Sequence, residues 1–275
     1  MKVFFKFIIL THFVFLFILG GFNYSFATDF ALSFDGTNDY VEVPFDASMN
    51  PAGDYSVNSW VKVSDLPNQW QSVVTSRSNN GTDTVGGYML YIEPSGQGSD
   101  WNYWTGKGNT WTKAASTVDP NLDTWQMMTT TFNNESKTMK LYVDGVLLRT
   151  KVNSGSLPIQ IDKPLRMAAG VTENNNPQYY LNGKIDEVAV WSAELSVDEI
   201  IQLYNSGETL YAADNYGDYN SSSSLTAYWT MDNTTETSNG SGTTLFGEKN
   251  DNDGTLTNGP TWSTDVPGTL PTLLS

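Results

Sequence analysis

Residues 181–207 read LNGKIDEVAVWSAELSVDEIIQLYNSG, a strand followed at once by a helix. On a strand, successive side chains alternate faces, so Lys184, Asp186 and Val188 point the same way. The helix announces itself through Ser196-Val197-Asp198-Glu199, a capping box. The Ser hydroxyl caps the third helical N–H, and the Glu reaches back to the N-cap. Ile200, Ile201, Leu203 and Tyr204 supply an apolar stripe, and Gly207 is placed as the C′ residue that ends the helix. About two turns long, this helix is expected to plug a sheet with its apolar side.

Outward from this stretch the chain is strand after strand. DYVEVPFD (39–46) alternates Tyr40 and Glu42 with Val41 and Val43. YSVNSWVKV (55–63) sets Val57, Val61 and Val63 on one face and Trp60 on the other. TMKLYVDGVLLRT (138–150) holds Asp144-Gly145 between two apolar runs, a two-residue hairpin turn in which both residues need positive φ. LRMAAGV (165–171) is a further strand, and SNNGTDTVGG (78–87) is a turn-rich spacer. Regular short strands point to an all-β fold, a two-sheet antiparallel sandwich or jelly roll, with one short C-terminal helix.

Composition narrows the chemistry. Residues 1–27 carry Lys2 and Lys6, an apolar run from Ile8 to Leu19 and Ser25-Phe26-Ala27. That is the pattern of a signal peptide cleaved after Ala27, which implies a secreted, cell-surface or periplasmic protein with no later membrane insertion. Removing two of the 14 basic residues leaves 12 against 30 acidic ones, a net charge of −18. That balance argues against nucleic acid as a partner. There is no cysteine, and the single histidine, His12, lies in the signal. A Ser-His-Asp or Cys-His mechanism, a zinc site of the usual ligands and disulfides are therefore excluded from the mature chain. An oxygen-ligated metal, calcium above all, remains compatible with the acidic inventory.

Residues 208–224 lose periodicity and end in NSSSS, the composition of a linker. The tail 225–275 follows. It resumes with LTAYWTMD (225–232) and contains NDNDGTLTNGPTW (250–262), too aromatic for a disordered segment.

Taken together, ALSFDGTNDYVEVP (31–44), NYWTGKGNTW (102–111), LDTWQMMTTTFNNESKTMKLYVDGVLL (122–148) and 181–207 resemble successive blocks of a laminin G-like, concanavalin A-like jelly roll. Pentraxins share that design. The resemblance covers about residues 28–207, and the tail is similar to the block that usually opens such a domain. This implies a permuted chain whose tail adds edge strands; a partial second repeat is the alternative. The fold hosts lectins, adhesion modules and hydrolases alike.

The resemblance also implies a structural calcium held by a loop near the first strand and an Asp near the last. Asp35 and Asp186 match those places, with Asn38 and Asp39 as neighbours. The competing reading makes Asp35 to Asp39 simple turn formers. Some glycosidases of this fold carry Glu, Asp and Glu at three alternating strand positions. Here the residues flanking Asp186 are Lys184 and Val188, so that apparatus is missing and no catalytic residue is assigned. The aromatics of DWNYWTGKGNTW (100–111) are the binding candidates. If the run is extended, Trp101 and Tyr103 share one face and Trp104 takes the other. Trp101, Tyr103 and Trp111 are assigned as sugar-stacking rings with Asp100 and Asn102 as hydroxyl partners, and Trp104 goes to the core. The expected function is a secreted, non-catalytic module that recognises a glycan or a surface protein. An adhesive subunit of an extracellular or virion assembly is second, and a carboxylate-dependent glycoside hydrolase third.

Overall fold

Two eight-stranded antiparallel sheets face one another in the computed structural model, which describes residues 29–66, 68–79, 85–107, 110–153, 163–171, 176–232 and 240–268. The expected signal 1–27 and its cleavage point lie outside the described residues. In chain order the strands are β1 (Ala31–Asp35), β2 (Tyr40–Val43), β3 (Tyr55–Val63), β4 (Gln71–Asn79), β5 (Val85–Ile92), β6 (Trp101–Lys107) and β7 (Thr110–Ala115). β8 (Trp125–Asn133), β9 (Thr138–Val143), β10 (Val146–Val152), β11 (Leu165–Met167), β12 (Gly170–Val171), β13 (Pro177–Gln178) and β14 (Asn182–Trp191) follow. After helix α1 (Val197–Tyr204) come β15 (Leu225–Trp229), β16 (Thr244–Leu245), β17 (Gly254–Thr257) and β18 (Thr261–Ser263).

The back sheet runs β10-β9-β8-β3-β14-β1-β18, with β15 also paired to β14; the front sheet runs β16-β17-β2-β11-β4-β5-β6-β7. β12 and β13 form a short ribbon beside the front sheet. Between the sheets lies a core in which Tyr55 stacks on Phe132 at 5.4 Å and its hydroxyl meets that of Tyr103 at 2.6 Å.

Local signals act as the chain implied. Asp144 and Gly145 both take positive φ, 51° and 76°, and the Asp144 carboxylate accepts the N–H of Met127 at 2.8 Å, pinning the hairpin. Helix α1 forms its capping box at Ser196 and Glu199. Its end differs from expectation. Asn205 takes the left-handed cap conformation (φ 45°), and Gly207 closes a further 3-10 turn. An Asn side chain tolerates that conformation well enough to stop the helix two residues early.

α1 covers the outer face of the back sheet. Ile200 and Leu203 pack with Trp60 and Trp191, and Tyr204 stacks on Trp60 at 5.7 Å. This is why β3 is buried on both faces, with its valines inside the sandwich and Trp60 under the helix. Residues 208–224 contribute to the same layer. Tyr219 is fully buried, accepts the Trp191 indole N–H at 2.8 Å and donates to the Ala212 carbonyl at 2.7 Å.

The tail completes both sheets. β3 occupies one edge of β14, and β1 and β15 share the other end to end: Leu32 opposes Ile185, and Trp229 opposes Val188. At the junction the N–H of Phe30 donates to Asp232 at 2.9 Å. β18 then covers the free edge of β1, and β17 that of β2, which removes two exposed edges.

Candidate functional site

The outer face of the front sheet carries the chemistry. Along β5, Tyr88, Leu90 and Ile92 point into the core, which leaves Met89, Tyr91 and Glu93 outside. Along β6, Trp101 and Tyr103 point inward and Trp104 outward. Across the strands Met89, Trp104 and Lys113 stand in one row. Arg77 on β4 is paired with Gly87, and Trp111 on β7 with Gly106. The two strands between them thus present no side chain at those places. The Arg77 guanidinium lies 4.9 Å from the Trp111 ring centre.

Trp70, at the entrance to β4, and Tyr179, just after β13, wall the other side. A cavity of about 180 Å³ results, lined by Trp70, Tyr91, Trp104, Trp111, Tyr179, Met89 and Arg77. Trp70 meets Trp104 edge-on at 5.7 Å and Tyr91 at 5.9 Å, and Tyr91 lies 5.9 Å from Tyr179. Tyr91 can stand there because residue 170 is glycine: a Cβ at that place would lie 2.1 Å from its hydroxyl. Arg77 is anchored by donating to the Val171 carbonyl at 2.8 Å. Lys113 sits 5.4 Å from the Trp70 ring centre and 5.6 Å from that of Trp104, its charge matched by Glu93 at 2.6 Å. Burial pushes the Tyr91 phenol above its usual range, so it stays a neutral donor. Among the described residues the buried Trp104 indole N–H has no hydrogen-bond partner, whereas the Tyr91 hydroxyl lies close to Thr75 and Arg77.

The sequence-assigned rings divide. Trp111 lines the cavity. Trp101 and Tyr103 are 0 % exposed and sit in the core between the sheets, which corrects their assignment as stacking rings. Their shared face was read correctly, but that face is the one the second sheet covers. Trp104, assigned to the core, is the outward ring. Asn102 is buried beside the cavity, donating to the Asp100 carbonyl at 2.8 Å and to Glu93 at 3.3 Å. The Asp100 carboxyl lies at the β5–β6 corner outside the lining, raised in pKa by burial and by Glu93. Trp70, Arg77, Met89, Tyr91 and Tyr179 were not singled out. The alternation of GYMLYIE (87–93) held the signal for Met89 and Tyr91.

The calcium set does not converge. Asp35 opposes Asn182 in the β1–β14 ladder, so Asp186 lies four residues further along, about 13 Å away at strand rise. Asp35 accepts the N–H groups of Thr37 and Asn38 at 2.8 and 3.4 Å, and Asp39 accepts that of Asp35 at 3.3 Å. These are turn-forming bonds. Asp186 is buried at a bulge and accepts the N–H of Glu187 at 2.8 Å. Burial, then the nearby Glu187 and Asp232, push its carboxyl well above the usual range. Among the described residues no group of three His, Cys, Asp or Glu is placed to hold a metal ion. Asp35, Asn38, Asp39 and Asp186 therefore do not fit one calcium site.

A family model for the concanavalin A-like lectin/glucanases superfamily matches residues 35–201, more than half of the chain. The chain belongs to that superfamily. Solved structures with a TM-score of 0.50 or more share the fold. A Bacteroides ovatus protein proposed to bind carbohydrate is 17% identical, covers 90% of this chain and superposes with a TM-score of 0.60. The chain spans 63% of that protein's length. Domain 4 of an extracellular GH43 arabinanase from Geobacillus stearothermophilus, solved with arabinotriose, is 17% identical over 63% of this chain and 76% of that one, with a TM-score of 0.50. The CBM40 domain of a Ruminococcus gnavus sialidase is 16% identical over 62% and 96%, with a TM-score of 0.49. No curated protein sequence matches the chain.

Proposed function

We propose that this superfamily member is a secreted, non-catalytic glycan-binding module and that the ring-walled cavity on the front sheet is its site. One observation carries the reading: five aromatic rings, Trp70, Tyr91, Trp104, Trp111 and Tyr179, line one cavity on an outer sheet face, and the buried indole N–H of Trp104 has no protein partner among the described residues. A buried polar group without a partner is costly, and a ligand hydroxyl would relieve that cost. Flat rings stack on the apolar faces of sugars while such groups bond their hydroxyls. Membership of a lectin-containing superfamily and the fold likeness to carbohydrate-related domains support the same class. The lining holds no carboxylate, whereas glycoside hydrolysis needs a pair flanking the bond. The signal-like pattern of residues 1–27, with a cleavage motif at Ser25-Phe26-Ala27, supports the export part of this reading.

A glycan array followed by titration tests this. Wild type should retain at least one glycan, with Kd on the order of 10 μM to 1 mM. Trp104→Ala should weaken it at least tenfold while shifting the melting temperature by only a few degrees, because the ring sits on the outer face. Undiminished binding by Trp104→Ala refutes the site. Release of reducing sugar by wild type refutes the non-catalytic reading.

A further inference from the structure

A second cavity, of about 490 Å³, adjoins the first, and Trp70 and Tyr179 line both. Its character is different. Asn68, Gln69, Gln71 and Gln178 bring four amides, with Asp65 and the Tyr180 ring beside them. Gln71 is only 7 % exposed. Its amide nitrogen donates to the Asp65 carboxylate at 3.3 Å, which fixes the amide's orientation and leaves its oxygen as the other terminus. That oxygen is buried and has no partner among the described residues. Gln71 lines the cavity, and a ligand bound there that brings a donor to this oxygen would satisfy it.

The junction is built under strain. Tyr179 takes φ 62°, a left-handed backbone that aromatic residues rarely adopt. It is held there by its carbonyl, which accepts the N–H of Ser72 at 2.8 Å, and by its ring against Tyr91. Such a conformation persists only where the surroundings over-determine it, and it clusters at ligand clamps. Here it stands the Tyr179 ring between the two cavities, opposite Trp70.

We infer that the two cavities are consecutive subsites for one polyhydroxylated chain, an oligosaccharide of at least two units. One unit stacks in the ring-walled cavity. The next runs past Trp70 and Tyr179 into the amide-lined cavity, where a hydroxyl donates to the Gln71 amide oxygen and the neighbouring amides bond others. This rests on the glycan reading of the first cavity and adds that the ligand is extended.

Calorimetric titration of wild type with xylo-, arabino- and gluco-oligosaccharide ladders of one to six units tests it. In the series that binds, affinity should rise about tenfold or more from one unit to three and then level off. Gln71→Met, which keeps the length and removes the acceptor, combined with Gln178→Ala, should bring the three-to-one affinity ratio close to one. Near-UV circular dichroism checks that each variant keeps its packing. A flat ladder in wild type, or an undiminished ratio in the double variant, overturns the extended site while leaving the single-cavity reading standing. Absence of binding across all ladders and the glycan array overturns both.

Discussion

Trp229 tests whether the tail strands β15 to β18 belong to the fold. It sits on β15 in register with Val188, is 0 % exposed within the inter-sheet core, and donates its indole N–H to the Asn252 carbonyl at 2.7 Å. Trp229→Ala removes the ring from a close-packed interior, which costs about 3–5 kcal/mol. It also leaves the buried carbonyl of Asn252 without its donor, for on the order of 1 kcal/mol more. For a domain of this size each kcal/mol lowers the melting temperature by about 2–4 °C, so a fall of roughly 10–20 °C is expected. Trp229→Phe keeps most of the ring and loses the N–H, and should cost about 1–2 kcal/mol. Urea unfolding followed by fluorescence and by far-UV circular dichroism measures both. The two probes should report one transition whose midpoint moves in the order wild type, Phe, Ala. Were 225–263 an appended tail, the main transition would not move. A Trp229→Ala midpoint within experimental error of wild type therefore refutes the reasoning.

Three further outcomes follow from named contacts. The Asp232 carboxyl is pushed up from 3.8 to about 7 by burial, against the bond it accepts from Phe30. A raised acid stabilises the fold below its unfolded pKa and loses that contribution as pH climbs through 7, so Asp232→Asn should melt higher than wild type at pH 8 and no higher near pH 4. Equal gains at both pH values would contradict the burial argument. Asp35→Ala should lose about 1–2 kcal/mol through the freed N–H groups of its turn, and by the same amount with or without chelator; a chelator-dependent loss would revive a calcium at this turn. Gly170→Ala sets a Cβ against the Tyr91 hydroxyl and should weaken glycan binding more than it lowers the melting temperature, measured on the same sample.

Much of the architecture was legible because its signals are local. Positive φ at Asp144 and Gly145 is a property of two adjacent residues, and the Ser196–Glu199 box closes within one turn of helix. The alternation of 55–63 told which residues share a face, since a strand's period is two whatever surrounds it. The aromatic restart at 225–232 told that the tail has something to bury. Each of these follows from covalent geometry and from the side chains of one short window.

The site was legible only in part, because it depends on which face a partner covers. In DWNYWTGKGNTW both faces of the strand are aromatic, so hydrophobicity could not say which one faces solvent. The back sheet covers Trp101 and Tyr103, and Trp104 is left outside as the ring that can meet a ligand. The cavity around it joins Trp70, Arg77, Tyr91 and Tyr179 from segments up to about a hundred residues apart, held by strand register and by the strained turn at Tyr179. Register likewise set Asp35 opposite Asn182, a ladder's length from Asp186. The sequence by itself determined the elements, their faces and the absence of histidine and cysteine from residues 28–275. Only the tertiary structure decided which face became core, because burial is a property of the pair of surfaces that meet and no single strand encodes its partner.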